Sequence, residues 1–507
     1  MSETATRNSI KRAVEEGERI MFEAAREAAI ERSEKSWWND EPHTWEEFDA
    51  VGLEPLLAPD PQFNNEPPIR LLDARFLTKL SERGGWLVPR QSLPEDAFLD
   101  LEAVKLLRTH PHAGLRVLCI SHIWLQPDHA DPRRDTLHVL ARALRILLHE
   151  QVGTFAVFFD FCSVYQGNGK TASEEALFKK AMAAQGDLFS HPATWTLMVT
   201  KLPKAFPRGF AFRPGSRPNV AEYGDRGWPC VELAISRLVK GHTTQVIDLG
   251  QLDNACLKYA EKKENGMLED DETYTSRGLG CDVQTMLEVC VAARPPPLTP
   301  SQFNAMLDSK CFTSRSTDIN VVRKMYHRAL YRLKAAQTLD YRESSWGDAE
   351  MMQLSKMIGN GWARDVRRLS LAYNQIGTSG MLALANALRQ GRCLNLESID
   401  LRGNPAGGDS RQAVKDVIDK LKEEGAMKAM WIEVFGAPDQ AAKLIQRRTR
   451  RKLKALALTA LLSKGSPAAT EANKEGGGKT SPPSSFRRGS TRTTMLRRRS
   501  LRASGER

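Results

Sequence analysis

The segment 223–233, Tyr-Gly-Asp-Arg-Gly-Trp-Pro-Cys-Val-Glu-Leu, decides how this chain of 507 residues is interpreted. In it Trp228 is followed four residues later by Glu232, and both fall in what we predict to be the first turns of a helix. The helix dipole alone would favour a glutamate near that end of a helix. The segment gains a further meaning when it is considered with the strands that precede it.

Two apolar runs upstream predict buried strands, and each is followed by polar residues. Residues 115–120 (LRVLCI) precede Ser121 and His122, and residues 155–159 (FAVFF) precede Asp160. Strands of this kind, alternating with helical segments, predict a parallel sheet of the α/β class. Ligands bind outside the carboxyl ends of the strands in such sheets. These polar residues and the glutamate of the helix are therefore the candidate site.

The order of these elements resembles that of Toll/interleukin-1 receptor (TIR) domains. Those domains have a Ser after strand A, an Asp after strand B and a Trp-x-x-x-Glu-Leu helix after strand C. The resemblance covers about residues 115–250 and implies a flavodoxin-like parallel sheet. An unrelated doubly wound α/β domain is the alternative. The other predicted elements are helices at 135–150 and 173–189 and strands at 193–200 and 245–249.

Some TIR domains cleave NAD at the nicotinamide–ribose bond, whereas others only bind protein partners. If the resemblance extends to activity, Glu232 is the catalytic carboxylate, which would hold the ribose and stabilise an oxocarbenium-like transition state. Many TIR domains carry an Arg or Ser at the position of Ile123, so the chain departs from them there. Residues 121–132 are also similar to heterokaryon-incompatibility-like domains, which imply no activity. The residues that would bind the substrate are Ser121, His122, Asp160 and Trp228.

An internal repeat with a period of 30 residues follows. Its copies begin at Leu339, Leu369 and Ile399, and the last two carry Asn374 and Asn404 at the same position. The repeat resembles the ribonuclease-inhibitor type of leucine-rich repeat, with one short strand and one helix per unit. Such repeats imply binding of protein partners.

A basic amphipathic helix is predicted at residues 437–463. Its start resembles the calmodulin-binding IQ motif, but Arg451 and Ala455 depart from that motif. The resemblance implies a calmodulin-like EF-hand partner, while an anionic membrane surface and nuclear import factors are alternatives. The residues that would bind calmodulin are Ile445, Gln446, Arg450 and Leu453.

The C-terminal tail differs in composition from the rest of the chain. Residues 441–507 carry 18 Lys and Arg against 3 Asp and Glu, a net charge of +15 within a total of +11. The first 440 residues are therefore mildly acidic, which argues against a whole protein built to bind nucleic acid. Gly, Ser and Pro dominate from residue 464 and predict disorder. Ser490 and Ser500 follow arginines and fit basic-directed kinase sites.

Several classes of protein are disfavoured. The eight cysteines include no Cys-x-x-Cys pair, and His122 and His129 have no cluster of ligands around them, so we predict no metal site and no required cofactor. No apolar run approaches 18 residues, and residues 1–7 lack a signal-peptide core. We expect a cytoplasmic protein with reduced thiols, with the nucleus as an alternative.

These observations predict an intracellular signalling or scaffold protein that binds protein partners through a TIR-like domain and leucine-rich repeats, with a calmodulin-like partner on the basic helix. The alternative is an NAD glycohydrolase regulated by the repeats or by calcium, with NAD as substrate. Ser92 and Glu95 predict a capped helix that runs to about Arg108. The predicted segments are an N-terminal helical segment at 1–57, the TIR-like domain with an N-terminal extension at 69–250, a helical connector at 251–334, the repeats at 335–425, the basic helix at 437–463 and the tail at 464–507.

Overall fold

The structure is a computed structural model, and the predicted N-terminal helix, basic helix and tail lie outside the residues that it describes, apart from the end of the first segment. The described residues are 52–107, 116–126, 129–149, 153–202, 219–241, 245–267, 278–312, 314–390, 395–424 and 431–433.

The first sheet has six strands among the described residues, in the order β2-β1-β4-β3-β5-β6. The four strands β4, β3, β5 and β6 pair in parallel, and β1 pairs antiparallel with both β2 and β4. The protein is therefore a mixed α/β protein with a mostly parallel sheet, as the alternating pattern predicts. The strands are β1 Leu71–Asp73, β2 Phe98–Leu99, β3 Val117–His122, β4 Ala156–Phe158, β5 Trp195–Val199 and β6 Val246–Asp248.

Helices surround this sheet and continue beyond it, and the buried positions of the longer ones recur at helical spacing. The described helices are α1 Glu54–Leu57, α2 Ala74–Glu82, α3 Leu101–Lys105, α4 Asp135–His149, α5 Asp160–Ser163, α6 Ala172–Ala184, α7 Gly186–Phe189, α8 Gly227–Ser236, α9 Leu252–Glu264, α10 Val283–Cys290, α11 Pro300–Asp308, α12 Arg315–Ala335, α13 Asp348–Gly359, α14 Thr378–Arg389 and α15 Gly408–Glu423.

The predicted helix from Ser92 to Arg108 is wrong. Two short 3-10 turns and strand β2 occupy most of this stretch, and α3 begins later. The Glu95 carboxylate does not return to cap the chain but pairs with the Arg70 guanidinium at 2.6 Å. The cap of α3 is instead Asp100, whose Oδ1 accepts a hydrogen bond from a backbone amide of the first turn at 2.7 Å.

The segment predicted as one helix at 173–189 forms two. A capping box of Thr171 and Glu174 starts α6, which ends at Ala184. The chain then turns into α7, where Gly186 lies against the Met325 side chain so closely that a Cβ would meet it at 2.4 Å. Because tertiary packing sets this close approach, the helical pattern alone did not reveal the break.

The second sheet contains the three segments that share the 30-residue period. Leu339 pairs with Leu369, and Leu369 pairs with Ile399, so equivalent positions lie side by side. The helices α13, α14 and α15 alternate with the strands. A fourth strand, which the sequence pattern did not predict, extends the sheet beyond β9. The strands are β7 Thr338–Asp340, β8 Arg368–Ser370, β9 Ser398–Asp400 and β10 Trp431–Glu433, in the order β10-β9-β8-β7, all parallel.

Asn374 ties neighbouring copies of the repeat together. Its Oδ1 accepts hydrogen bonds at 3.0 Å from the backbone amides of Ser344 and Trp346 in the preceding copy. Its Nδ2 donates to the carbonyl of Leu371 at 2.9 Å and to that of Tyr341 at 2.8 Å. Asn374 is buried, so these bonds satisfy a polar group that would otherwise be costly to desolvate.

Two buried apolar clusters cover the faces of the first sheet, because successive side chains of a strand point to opposite faces. Val117 and Cys119 enter one cluster, and Leu118 and Ile120 enter the other. The first cluster also contains α12 and the apolar positions of all three repeats, as far as Leu421. The two sheets therefore share one continuous core.

Polar contacts reinforce this junction. The Tyr341 hydroxyl donates to the carbonyl of Leu238 at 2.9 Å, and the Trp346 indole donates to the carbonyl of Arg294. The Arg294 guanidinium lies over the ring of Tyr341, 4.4 Å from its centroid, and donates to the carbonyl of Arg237. Every one of these groups is buried or half-buried, so the first repeat packs against the segment that follows α8 and against Arg294.

Within the described residues, no helix is long and apolar enough to cross a membrane.

Candidate functional site

The candidate site lies where β3 and β4 end and α8 begins. Ser121 and His122 are the last residues of β3, and Asp160 opens the short helix after β4. Because neighbouring residues of a strand point to opposite sides, Ser121 and His122 meet different partners. Ser121 contacts Glu232 of α8, and His122 contacts Asp160.

A buried hydrogen-bonded chain holds Glu232. The Ser121 hydroxyl donates to Glu232 Oε2 at 2.6 Å, and the same hydroxyl lies 2.6 Å from the hydroxyl of Tyr223. Glu232 is only 9% exposed. Burial, assisted by the negative charge of Asp160, raises the pKa of Glu232 to about 8, against the opposing hydrogen bond from Ser121. The carboxyl is therefore mostly protonated at neutral pH and ionises within reach of mildly alkaline pH.

His122 and Asp160 form a second polar unit beside it. His122 Nε2 lies 2.8 Å from Asp160 Oδ1, and the ring stacks on Phe159 with centroids 4.4 Å apart. Burial lowers the pKa of His122, but the charge of Asp160 and its hydrogen bond outweigh burial and raise that pKa overall. The Asp160 carboxylate also accepts from the Trp124 indole at 3.1 Å and from the backbone amide of Phe161 at 2.6 Å. Three donors thus fix its orientation.

These two units line one cleft of about 250 Å³. Its walls combine five aromatic side chains with three acidic residues and with neutral polar and aliphatic side chains. Arg226 also lines the cleft, but its guanidinium donates to backbone carbonyls, including that of Trp124. The aromatic residues lining the cleft are His122, Trp124, Phe178, Trp228 and Phe312, and the acidic residues are Asp160, Glu232 and Asp318.

A segment distant in sequence completes this cleft. The backbone of Cys311 pairs with the start of α8, accepting from the Gly227 amide at 2.9 Å and donating to the carbonyl of Asp225 at 2.7 Å. Phe312 packs on Gly227 so tightly that a Cβ there would lie 2.0 Å from its ring. From the first turn of α12, Asp318 accepts a hydrogen bond from the Trp228 indole at 3.0 Å. Cys311, Phe312, Ser314 and Asp318 therefore form one wall of the site.

Five of the residues selected from the sequence lie together at this cleft. His122, Asp160, Trp228 and Glu232 line it, and Ser121 lies directly behind Glu232. The predicted calmodulin-binding residues Ile445, Gln446, Arg450 and Leu453 and the predicted phosphorylation sites Ser490 and Ser500 lie outside the described residues.

Sequence reasoning missed four residues of the site. Trp124 lies two residues after His122, and its aromatic character next to a polar strand end was the available signal, whereas Tyr223 opens the segment that carries Trp228 and Glu232. Phe312 and Asp318 come from a segment about 90 residues beyond α8, and nothing in their local pattern indicated the contact.

Among the described residues, no group of three or more His, Cys, Asp or Glu side chains is arranged to hold a metal ion. Comparison with protein-family models and with curated proteins finds no match to this chain. The function is therefore argued from the chemistry of the cleft.

Proposed function

We propose that residues 115–250 form a TIR-like domain and that its cleft hydrolyses the nicotinamide–ribose bond of NAD. The observation that carries the proposal is the Glu232 carboxyl, held at 2.6 Å by the Ser121 hydroxyl at the end of β3, in a cleft that five aromatic side chains help to line. The order of the four parallel strands, β4-β3-β5-β6, supports a flavodoxin-like sheet, in which the first strand lies between the second and the third.

The lining of the cleft suits a planar cationic ring. Nicotinamide in NAD is a pyridinium, and aromatic faces such as those of Trp124, Trp228 and Phe312 attract cations. The carboxylates of Asp160 and Asp318 add negative charge on two sides. The guanidinium of Arg226, which also lines the cleft, already donates to backbone carbonyls. The acidic side chains in the described part of the cleft therefore favour binding of a cation over binding of a phosphate.

The raised pKa of Glu232 suits the same reaction. A cationic substrate beside the carboxyl favours its ionised form, so binding would draw the proton from Glu232. The ionised carboxylate then stabilises the positive charge that develops on the ribose as the bond to nicotinamide breaks. Water adds to the ribose carbon, and the products are nicotinamide, ADP-ribose and a proton. Ser121 acts as a positioning residue, because it holds the carboxylate from the side of the core.

The test is incubation of the purified chain with NAD and chromatographic measurement of nicotinamide. Glu232→Gln keeps the shape and the hydrogen bond to Ser121 but removes the charge, and we expect turnover to fall about 100-fold or more. Glu232→Ala should abolish turnover. The matched control is Glu261→Gln, which alters an exposed glutamate of α9. Absence of nicotinamide from the wild-type chain, or unchanged turnover in Glu232→Gln, would refute the proposal.

A second candidate is the scaffold function, in which the repeats bind a protein partner. Met352 and Leu382 occupy equivalent positions 30 residues apart on α13 and α14, and they are 42% and 44% exposed. Met352 borders a groove of about 400 Å³ between these helices. Exposed apolar residues repeated in this way favour protein docking. Partner capture that survives Met352→Ser with Leu382→Ser would argue against this surface.

A further inference from the structure

A pair of cysteines lies away from the cleft, on the other side of the sheet domain. Cys256 is half-buried on α9, and Cys281 is fully buried immediately before α10. The two side chains belong to the same packed cluster, and the Cys281 thiol donates toward the Cys256 sulfur. The backbone of Gly280, the residue before Cys281, also lies close to the Cys256 side chain, since a Cβ on Gly280 would lie 3.0 Å from Cys256 Sγ. Gly280 has a φ of +83°, a conformation that suits glycine.

An arginine faces the same sulfur. Arg142 Nη2 lies 3.5 Å from Cys256 Sγ, while its Nη1 donates to Asp253 Oδ1 at 2.9 Å. The hydrogen bond from Cys281, and then the charge of Arg142, lower the pKa of Cys256 to about 6 against the effect of partial burial. At Cys290 burial is the dominant influence and raises the pKa to about 12. Among the described cysteines, Cys256 therefore combines thiolate character, partial exposure and a neighbouring thiol.

We propose that Cys256 and Cys281 form a peroxide-sensitive dithiol, in which Cys256 is the attacking thiolate and Cys281 the resolving thiol. In the first step the Cys256 sulfur attacks one peroxide oxygen. An S–O bond forms, the O–O bond breaks, and the departing hydroxide takes up a proton to become water. In the second step the Cys281 sulfur attacks Cys256, an S–S bond forms, and the sulfenic oxygen leaves as water with the thiol proton. Two thiols are oxidised and one hydrogen peroxide is reduced to two waters.

The disulfide would join α9 to the start of α10. It would also remove the negative charge that faces Arg142. Arg142 and Asp253 both line a second cavity of about 380 Å³, at the carboxyl ends of β5 and β6. Oxidation would therefore remove one negative charge from beside Arg142, which lines this cavity, at a distance from the cleft that contains Glu232.

The experiment treats the reduced full chain with hydrogen peroxide, quenches it with an alkylating reagent and quantifies each cysteine peptide by mass spectrometry. We expect a disulfide-linked Cys256–Cys281 peptide. With Cys281→Ser, oxidation should stop at a sulfenic acid on Cys256, which dimedone traps. With Cys256→Ser, Cys281 should stay reduced, because its own thiol is buried. The exposed Cys311 provides the internal control.

The pH profile separates a thiolate mechanism from simple exposure. An ordinary thiol with a pKa of about 8.5 becomes roughly 50-fold more ionised between pH 6.5 and 8.5, so the oxidation rate of an unperturbed thiol rises steeply over this range. The rate at Cys256 should change less than about twofold over this range. Arg142→Gln should make the Cys256 profile steeper than in the wild-type chain, because the hydrogen bond from Cys281 remains while the charge is lost, and Arg145→Gln on the same helix should not. A steep profile at Cys256 in the wild-type chain, or absence of the linked peptide, would overturn the proposal.

Discussion

Replacing Glu232 with glutamine tests the buried carboxyl at the centre of the cleft independently of any activity. Burial raises the pKa of Glu232 from 4.5 to about 8. Between these pH values the folded chain holds a proton at this position that the unfolded chain has released. A group whose folded pKa is raised contributes stability that is fully present below its unfolded pKa and is lost as the pH rises through its folded pKa. The contribution of Glu232 should therefore disappear between about pH 4.5 and pH 8.

The size of the effect follows from the shift. One pKa unit corresponds to about 1.4 kcal/mol, so an interval from 4.5 to about 8 corresponds to a loss on the order of 5 kcal/mol. Glutamine does not titrate, yet its amide oxygen can still accept the hydrogen bond from the Ser121 hydroxyl. The free energy of unfolding of Glu232→Gln, relative to that of the wild-type chain, should therefore rise by several kcal/mol when the pH is raised from 5 to 8.5.

The measurement is urea unfolding of both proteins at pH 5 and at pH 8.5, followed by tryptophan fluorescence. At each pH the free energy of unfolding of the wild-type chain is subtracted from that of Glu232→Gln. Comparing this difference at the two pH values cancels the contributions of all other titrating groups. Glu261→Gln is the matched control, and it should follow the wild-type chain. If Glu232→Gln shows the same pH dependence as the wild-type chain, the carboxyl is ionised in the folded protein and the argument from burial fails.

Three further predictions concern the cleft, the repeats and the basic helix. If the chain hydrolyses NAD, kcat/KM should rise with pH through about 8, because only ionised Glu232 stabilises positive charge; a flat profile would exclude that role. Leu371→Asp should lower the free energy of unfolding by several kcal/mol, because it buries an unpaired charge, and should make the repeats susceptible to protease. Leu382→Asp, at an exposed position, should do neither, and equal cleavage of the two variants would contradict the packing. A peptide of residues 437–463 should bind calmodulin more tightly with calcium in titration calorimetry, and Ile445→Ala with Leu453→Ala should weaken it; binding that ignores those changes and vanishes in moderate salt would indicate a simple polycation.

The four parallel strands of the first sheet were predictable because each is marked by a local pattern, whereas the short antiparallel strands β1 and β2 were not predicted. The runs 115–120, 155–159 and 193–200 lie within two residues of β3, β4 and β5. Buried parallel strands are continuously apolar, and the amphipathic helices between them have a different period, so the two are distinguishable without tertiary information. The strand ends follow from the same pattern, and they placed Ser121, His122 and Asp160 at the edge where the cleft lies.

Elements that depend on distant partners were not predictable in this way. Strand β2 has only two residues, and its pairing with β1 replaced the helix expected from Ser92 and Glu95. The cleft wall that carries Phe312 and Asp318 depends on packing against α8, which their own neighbours in sequence do not encode. The raised pKa of Glu232 likewise results from burial by the whole fold rather than from its position in a helix.

The packing of Tyr341 and Trp346 against Leu238 and Arg294 changes how the repeats should unfold. Stacked repeats usually behave as a one-dimensional array, in which an end unit frays first and the rest follow step by step. Here the first unit shares its apolar core with α12 and its polar contacts with Arg294 and Leu238. That end of the array cannot unfold without exposing the apolar core that it shares with the sheet domain. Fraying should therefore begin at the opposite end, at β10. A calorimetric scan should show the two sheets melting in a single transition, and a chain cut at residue 334 should lose the sheet domain together with the repeats.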